Sequence, residues 1–272
     1  MSSEQVIDSL AFPASLSPSR AGDFMNCPLL YRFRSIDKLP EEPSIAQVRG
    51  TLVHTALEDV FDLPAADRTR AEVIRLAGAA LQTMRTEDPE AAAIVDDAGD
   101  FVTAITPLVD AYFSLEDPAR LEPHGREIAM SVQIEHGFEL RGIIDRVDVS
   151  PDGLVRIVDY KTGKSPRQGY ESKALFQMRF YALAWWRAHN TIPRMLQLLY
   201  LGNGAAVRSS PSESELVATE RKVLALREAI SRSADTGNFE PSPSKLCDWC
   251  SHRSLCPAWG GTPPTFPGVP QS

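Results

Sequence analysis

A predicted β-hairpin in the middle of the chain is the feature that most constrains its fold. Residues 138–150 alternate between apolar and polar side chains, and residues 154–158 form an apolar run that ends in "DYK". The Pro-Asp-Gly tripeptide at 151–153 is typical of a tight turn between two strands. If these three residues form the loop, Ser150 pairs with Leu154.

The register of this hairpin decides whether three charged side chains meet. With Ser150 opposite Leu154, Asp145 lies opposite Asp159, whereas a shift of one residue separates the two carboxylates. Lys161 lies two residues beyond Asp159 and projects from the same face of the strand. A surface ion pair is the common interpretation of such neighbours and stabilises a fold little. The functional interpretation is a pair of metal-binding carboxylates beside a catalytic ammonium group.

Helices are predicted before the hairpin. Residues 17–26 begin with Ser-Pro, which is typical of a helix start. Residues 46–63 have apolar side chains at helical spacing, and His54 lies near this apolar stripe. Residues 65–120 are alanine-rich and helical in pattern. Breaks in this last segment are expected at Pro89, Pro107 and Pro118.

Strands and helices alternate in the rest of the chain. The pattern predicts a strand at 127–135, a helix at 170–189 and a buried strand at 194–202. A capping box at 212–215 begins a further helix that extends to about Ala234. This order of elements indicates an α/β fold.

The hairpin sequence "GIIDRVDVSPDGLVRIVDYKTGK" resembles the core of RecB-family nucleases of the PD-(D/E)xK superfamily. The resemblance places the family's first acid at Asp145, its second at Asp159 and its lysine at Lys161. The family's Gly-x3-His helix is matched by Gly50 and His54, which implies that the histidine joins the metal ligands.

Two further matches complete the implied site. The family's Gln-x3-Tyr helix is matched by Gln177 and Tyr181, which share one helix face. A glutamate from a preceding strand is often a metal ligand, and Glu127 is the candidate, with Glu135 and Glu139 nearby. The resemblance implies a central mixed sheet flanked by helices and a site that binds Mg²⁺ or Mn²⁺. It also implies one nuclease domain over residues 1–272, with the helical segment 65–120 inserted.

The cysteines predict a second metal centre, because clustered cysteines outside an oxidising compartment are typical of metal ligands. Two metals are compatible with four thiolates: zinc, for which His252 is another possible ligand, and a four-iron, four-sulfur cluster. The resemblance to AddB-type and CRISPR-associated exonucleases favours the cluster. It would clamp the region of residue 27 to the region 247–256, with Trp249 and Trp259 expected to cover it. The four cysteines are Cys27, Cys247, Cys250 and Cys256.

Charge and motif content limit the other functions. The chain has a net charge of −8, but the segment 85–122 accounts for all of it, and residues 156–187 carry a local excess of basic residues that is compatible with a polyanion. The "TGKS" stretch at 162–165 lacks the first glycine of a phosphate-binding P-loop, so ATP binding is not supported. The N-terminus lacks a secretory signal pattern, which favours a cytoplasmic location.

The leading hypothesis is therefore a metal-dependent DNA exonuclease that acts on single-stranded ends in repair or recombination, with a helicase or another repair protein as its expected partner. The insertion and the cysteine region are expected to form a channel that admits a single strand. Two alternatives stay open. One is a CRISPR-adaptation exonuclease with the same chemistry, and the other is a catalytically silent DNA-binding subunit of a helicase–nuclease complex. Retention of Asp145, Asp159 and Lys161 favours an enzyme.

Overall fold

The computed structural model describes residues 12–95, 98–167 and 172–269, with the backbone alone at 98–100, 136, 172 and 173. The first half of the chain is mainly helical. Its elements are β1 (Ser15–Leu16), α1 (Pro18–Asn26), α2 (Pro28–Tyr31), α3 (Ile45–Asp59), α4 (Arg70–Glu87), α5 (Pro89–Ala93) and α6 (Ala98–Leu115). No helix within the described ranges is long and apolar enough to cross a membrane.

The second half of the chain supplies most of the sheet. Its elements are β2 (Gly125–Gln133), β3 (Glu139–Val149), β4 (Val155–Lys161), α7 (Ser172–His189), β5 (Met195–Tyr200), β6 (Ala205–Ser209) and α8 (Glu213–Thr236). The predicted capping box of α8 is present, with Ser212 and Glu215 bonded reciprocally. The expected start of α7 at residues 170–171 lies outside the described residues.

The break expected at Pro107 is wrong. The breaks expected at Pro89 and Pro118 are present, since each proline begins a new helical segment, but Pro107 lies within the continuous helix α6. A proline removes one backbone hydrogen bond from a helix interior. The buried side chains Ile105, Val109 and Tyr112 hold α6 against the core, and this packing maintains the helix despite the missing bond.

The strands form one mixed sheet in the order β1-β3-β4-β5-β6, with β2 also paired to β3. β3 runs antiparallel to β2 and β4, whereas β4 and β5 are parallel. The predicted hairpin register is confirmed, since Val149 pairs with Val155 and Ser150 N–H donates to Leu154 O at 3.0 Å. The short strands β1 and β6 were not predicted.

Helices cover both faces of this sheet. Apolar side chains of α1, α7 and α8 pack in one cluster with Ile157 of β4. Those of α3, α4 and α6 pack in a second cluster with Val158 and Tyr160. Because side chains alternate along a strand, Asp159 projects from the same face of β4 as Ile157. The fold class is thus an α/β arrangement of a mixed sheet between helical layers, as the sequence predicts.

A buried charge network joins α6 to the strands of the hairpin. Arg146 on β3 is fully buried, and its Nη2 lies 2.7 Å from an oxygen of Glu116, the residue after α6. Its Nη1 donates to the Tyr160 hydroxyl at 2.6 Å, and its Nε lies 3.1 Å from Asp148. Arg156 pairs with the same two acids, at 3.1 Å and 2.8 Å. Two guanidinium groups thus neutralise two largely buried carboxylates.

Replacement of Arg146 by alanine is expected to lower the free energy of unfolding by about 3–5 kcal/mol, because it leaves buried charge without its partner. Urea denaturation followed by circular dichroism measures this change. The matched control is Arg141→Ala on the same strand. This substitution removes the ion pair between the exposed guanidinium of Arg141 and Glu139, and it is expected to lower the free energy of unfolding by about 0–1 kcal/mol. Equal losses in the two variants would contradict the structural importance of the network.

Candidate active site

Three carboxylates lie side by side across three adjacent strands. The register of β2 and β3 places Glu127 opposite Asp145, and the register of β3 and β4 places Asp145 opposite Asp159. Like charges on neighbouring strands repel one another. A row of three acids therefore needs compensating cations or protons, which is a common feature of metal-binding sites.

The backbone is irregular along this row. Glu127 has a φ angle of 44°, in the left-handed region that residues with a side chain rarely adopt. One oxygen of Asp145 accepts a hydrogen bond from the Tyr160 backbone N–H at 2.7 Å, so a side chain, and not a backbone carbonyl, ends the β3–β4 ladder. Such local irregularities are common at functional sites, where they aim a side chain out of the regular pleat.

Helix α3 brings His54 to these carboxylates. A capping box between Ser44 and Gln47 fixes the start of the helix, and its buried apolar stripe fixes its rotation against the core. As a result His54 Nδ1 lies 3.4 Å from an oxygen of Asp145. The imidazole also packs edge-on against the Tyr160 ring, with 5.9 Å between the ring centroids.

Three of the four predicted metal ligands converge. His54, Glu127 and Asp145 each place one ligand atom within 4.8 Å of the other two, and Glu127 is thus the glutamate at this position, rather than Glu135 or Glu139. Asp159, the fourth predicted ligand, lies beside this group but is not part of it.

Burial controls the protonation of this group. Burial, and then the charge of Asp159, raises the pKa of Asp145 to about 8. Burial also raises the pKa of Glu127, with a further contribution from Glu58. The pKa of His54 is lowered, mainly by burial, which favours the neutral imidazole that binds metals.

Lys161, Asp159 and helix α7 form the other half of the site. Lys161 Nζ lies 2.7 Å from Asp159 Oδ2 and donates to Gln177 Oε1 at 3.0 Å. The Gln177 amide donates in turn to Asp159 Oδ1 at 3.0 Å and to the Tyr181 hydroxyl at 3.3 Å. Gln177 therefore fixes both members of the Asp-Lys pair, and the predicted one-face arrangement of Gln177 and Tyr181 is present in α7.

Two glycines near the site were not singled out by sequence reasoning. A Cβ atom at Gly142 would lie 2.8 Å from the Tyr181 ring, so this position leaves room for the tyrosine. A Cβ atom at Gly202 would lie 2.6 Å from the backbone of Gly163, in the loop that follows Lys161. Glycine in a strand pattern such as "RGIID" is a known sign of close approach, and it could have indicated the first contact.

The site opens into a cleft of about 1000 Å³. Its walls come from α1, α3, the strands β2 and β3, α7 and α8. The ionisable residues that line it within the described part of the chain are His54, Glu58, Glu127, Asp145, Tyr181 and Lys222. The cleft is open to solvent and large enough for more than one nucleotide-sized group.

All four cysteines line a second, smaller cavity. None of them forms a disulfide bond. Backbone N–H groups of the proline-rich loop donate to two of the sulfurs, Ser242 to Cys27 at 3.4 Å and Ser244 to Cys247 at 3.3 Å. The first of these bonds joins the end of α1 to the C-terminal region, as the clamp prediction requires.

The side chains around the cysteines differ from the predictions in one respect. His252 is buried, and its Nε2 lies 2.8 Å from an oxygen of Glu41, which engages one of its two possible ligand atoms. Trp259 lines the cavity, but Trp249 is 79% exposed and lies outside its lining. The expectation that Trp249 covers the cysteines is wrong, since most of its surface is open to solvent.

Comparison with known proteins identifies the family. A family model described as the PD-(D/E)XK nuclease superfamily matches residues 15–257. The chain belongs to this superfamily. The matched range contains the whole mixed sheet, His54 on α3 and the Asp-Lys pair at the end of β4.

Individual relatives are distant. The curated Gene 69 protein of Mycobacterium phage L5 is 25% identical over 136 residues, which make up 49% of this chain and 44% of that protein, so the match spans less than half of the relative's length. The solved structure of a Eubacterium rectale protein named "Putative exonuclease" has a TM-score of 0.55 at 14% identity, covering 93% of this chain and 92% of that one. It shares the fold of this PD-(D/E)XK nuclease.

Enzymes of the PD-(D/E)XK superfamily use divalent metal ions, and the donors present here fit such an ion. Carboxylate oxygens are the ligands that Mg²⁺ prefers, and Mn²⁺ also accepts an imidazole nitrogen. A cation would also relieve the repulsion that raises the pKa of Asp145.

Replacement of Asp145 by asparagine is expected to raise the thermal midpoint of the metal-free protein at pH 8. The folded-state pKa of Asp145 lies above its ordinary value of 3.8, so ionisation of this group destabilises the fold increasingly as the pH rises from about 4 to 8. The neutral amide removes this penalty and keeps an oxygen for the Tyr160 N–H. Differential scanning fluorimetry from pH 4 to 8 measures the effect, and the two midpoints should converge at the acid end.

The same variant supplies a test of metal binding. Saturating Ca²⁺ or Mn²⁺ is expected to stabilise the wild type by about 3 kcal/mol at a hundredfold excess over Kd, and to stabilise Asp145→Asn far less. Equal stabilisation of both proteins would show that the ion binds elsewhere.

Proposed function

We propose that the protein is a metal-dependent DNA exonuclease of the RecB-like type that hydrolyses phosphodiester bonds at single-stranded ends. The observation that carries the proposal is the convergence of His54, Glu127 and Asp145 beside the ion pair of Asp159 and Lys161. Hydrolysis of a phosphodiester requires an activated water and compensation of charge on the phosphate oxygens. The two halves of the site supply groups for both tasks.

The proposed metal ligands are His54, Glu127, Asp145 and Asp159, which would hold Mg²⁺ or Mn²⁺. A bound ion of this kind supplies Lewis-acid polarisation and an acidified water. Asp159 lies opposite Asp145 in the strand register, and its charge contributes to the raised pKa of Asp145. Its present partners are Lys161 and Gln177.

Lys161 is the proposed catalytic ammonium group. It is held between Asp159 and the Gln177 carbonyl oxygen, so its position is fixed before substrate binds. A preorganised cation stabilises negative charge that develops on a phosphate or an attacking water more than a mobile one does. Gln177 orients Lys161 and Asp159, and the Tyr181 hydroxyl accepts a hydrogen bond from the Gln177 amide.

The proposed preference for single-stranded DNA rests on the family resemblance. The channel expected from residues 65–120 and the cysteine region is not this cleft, because its described lining includes no residue of either segment. We interpret residues 1–272 as one nuclease domain in which the helical segment 65–120 is inserted, and the helices α4–α6 of this segment pack beside α3 on one side of the sheet. The structural relative that bears the name "Putative exonuclease" is similar in overall fold over 92% of its length. A role in DNA repair or recombination, with a helicase as partner, is the process that this activity would serve.

Asp159→Ala is expected to reduce Mg²⁺- or Mn²⁺-dependent degradation of an end-labelled linear single strand by about 10³-fold or more, and Lys161→Ala by about 10²–10³-fold, because each removes charge stabilisation from the transition state. Gel analysis of time courses measures both rates. Binding of the same strand should change little in Lys161→Ala, since the lysine acts mainly after binding.

A closed circular single strand of the same composition is the matched control for end dependence. Its degradation should be negligible under conditions that degrade the linear strand. Equal rates on the two substrates would exclude an exonuclease, and an intact wild type that binds DNA without cleaving it would favour the silent-subunit alternative.

A four-iron, four-sulfur cluster is the proposed occupant of the cysteine cavity. Four cysteines line one cavity, which fits either this cluster or zinc. The uneven spacing of the cysteines, one at position 27 and three within 247–256, and the resemblance to AddB-type exonucleases favour the cluster.

Cys250→Ser is expected to lose the bound metal and most of the soluble folded protein, because binding of a structural metal couples to folding. Metal analysis of anaerobically purified protein should find about four iron atoms per chain in the wild type, with visible absorption. A content of about one zinc ion per chain, without iron, would contradict the cluster and support a structural zinc site. A folded, fully active Cys250→Ser variant would contradict the clamp.

A further inference from the structure

A lysine on α8 lines the cleft at some distance along the chain from the nuclease motif. Lys222 Nζ lies 4.6 Å from the centroid of the Phe176 ring, and both residues line the cleft. Phe176 directly precedes Gln177 on α7, and Gln177 contacts Asp159 and Lys161. Lys222 therefore occupies a wall that is continuous with the catalytic end of the cleft.

The ring of Phe176 fixes the position of this ammonium group. An ammonium over an aromatic face is attracted by the ring quadrupole, and the ring itself is buried, with 8% of its surface exposed. No ion pair joins Lys222 to an acid within the described ranges of the chain. Its charge is thus both localised at the wall and open to an anionic ligand.

The balance of charge in the cleft makes this lysine distinctive. Among the described residues of the lining, the acids are Glu58, Glu127 and Asp145, and Lys222 is the one with a full positive charge. Lys161 is already paired with Asp159. A polyanionic strand needs cationic partners for its phosphates outside the metal group, and in this cleft Lys222 can supply one.

We propose that Lys222 binds a non-reacting phosphate of the substrate strand, with Phe176 holding the ammonium in place. This inference rests on the proposed nuclease function and adds a residue outside the nuclease motif to substrate binding. Contacts to phosphates position a strand without reading its sequence. Lys222 should therefore contribute equally to the binding of substrate and transition state, which affects KM and leaves kcat unchanged.

The test compares Lys222→Gln with Arg221→Gln. The two residues are adjacent and exposed on α8, each substitution removes one positive charge, and Arg221 does not line the cleft. Binding of a labelled single-stranded oligothymidylate is measured by fluorescence anisotropy over a range of KCl concentrations. Ca²⁺ replaces Mg²⁺, and a gel verifies that the oligonucleotide stays intact.

Loss of one phosphate contact to a single strand should reduce the slope of log K against log salt by about 0.7. We expect this change in Lys222→Gln, with an increase in KM at constant kcat, and recovery of the slope in Lys222→Arg. Arg221→Gln should retain the wild-type slope, and all variants should keep the wild-type thermal midpoint.

An unchanged slope in Lys222→Gln would overturn the inference. An equal decrease in Arg221→Gln would also overturn it, because the effect would then come from the general charge of α8. Failure of the wild-type protein to bind or cleave any strand would instead overturn the proposed function, so the two failures are distinguishable.

Discussion

The buried guanidinium of Arg146 is the interaction on which the arrangement of the candidate active site depends. It joins Glu116 at the end of α6 to Asp148 and Tyr160 on the hairpin. Tyr160 lies between Asp159 and Lys161 in the sequence, its backbone N–H binds Asp145, and its ring packs on His54. Helix α6 is thereby connected to the candidate active site through one residue. An outer layer of this kind determines how precisely the inner ligands are held.

The carboxylates of the candidate active site repel one another. Glu127, Asp145 and Asp159 lie in one row, and burial with mutual repulsion raises the pKa of Asp145 and of Glu127. The strained backbone of Glu127 adds to the cost. Such strain persists where surrounding structure over-determines it, and here the Arg146 network and the packing of α3 supply that support. A site that is unfavourable without a cation is well suited to bind one.

How much of this arrangement can be predicted depends on the sequence separation of the residues in each contact. The proximity of Asp145, Asp159 and Lys161 followed from strand alternation and one tight turn. His54 and Gln177 followed from a family resemblance, since no local pattern relates helices α3 and α7 to the hairpin. Glu127 could be distinguished from its neighbours Glu135 and Glu139 only with the register of β2.

Other features of the structure could not be predicted from local sequence patterns. Arginine is rarely fully buried, and the burial of Arg146 depends on Glu116, at the end of α6, and on Asp148 of its own strand. Pro107 is a helix breaker by its own propensity, yet the packing of α6 overrides it. The contact of Lys222 with Phe176 joins helices separated by a strand pair. No local sequence pattern distinguishes the exposed Trp249 from the less exposed Trp259.

The contact between the region of Cys27 and the proline-rich loop has a consequence for biosynthesis. The hydrogen bond from Ser242 to Cys27 spans 215 residues, and that from Arg32 to Pro264 spans 232. Contacts of such separation form late, because the chain between them must first be ordered. On the ribosome, residue 27 emerges long before its partners exist. The Cys27 thiol is therefore synthesised more than 200 residues before the loop that contacts it, and this contact can form only after that loop has left the ribosome.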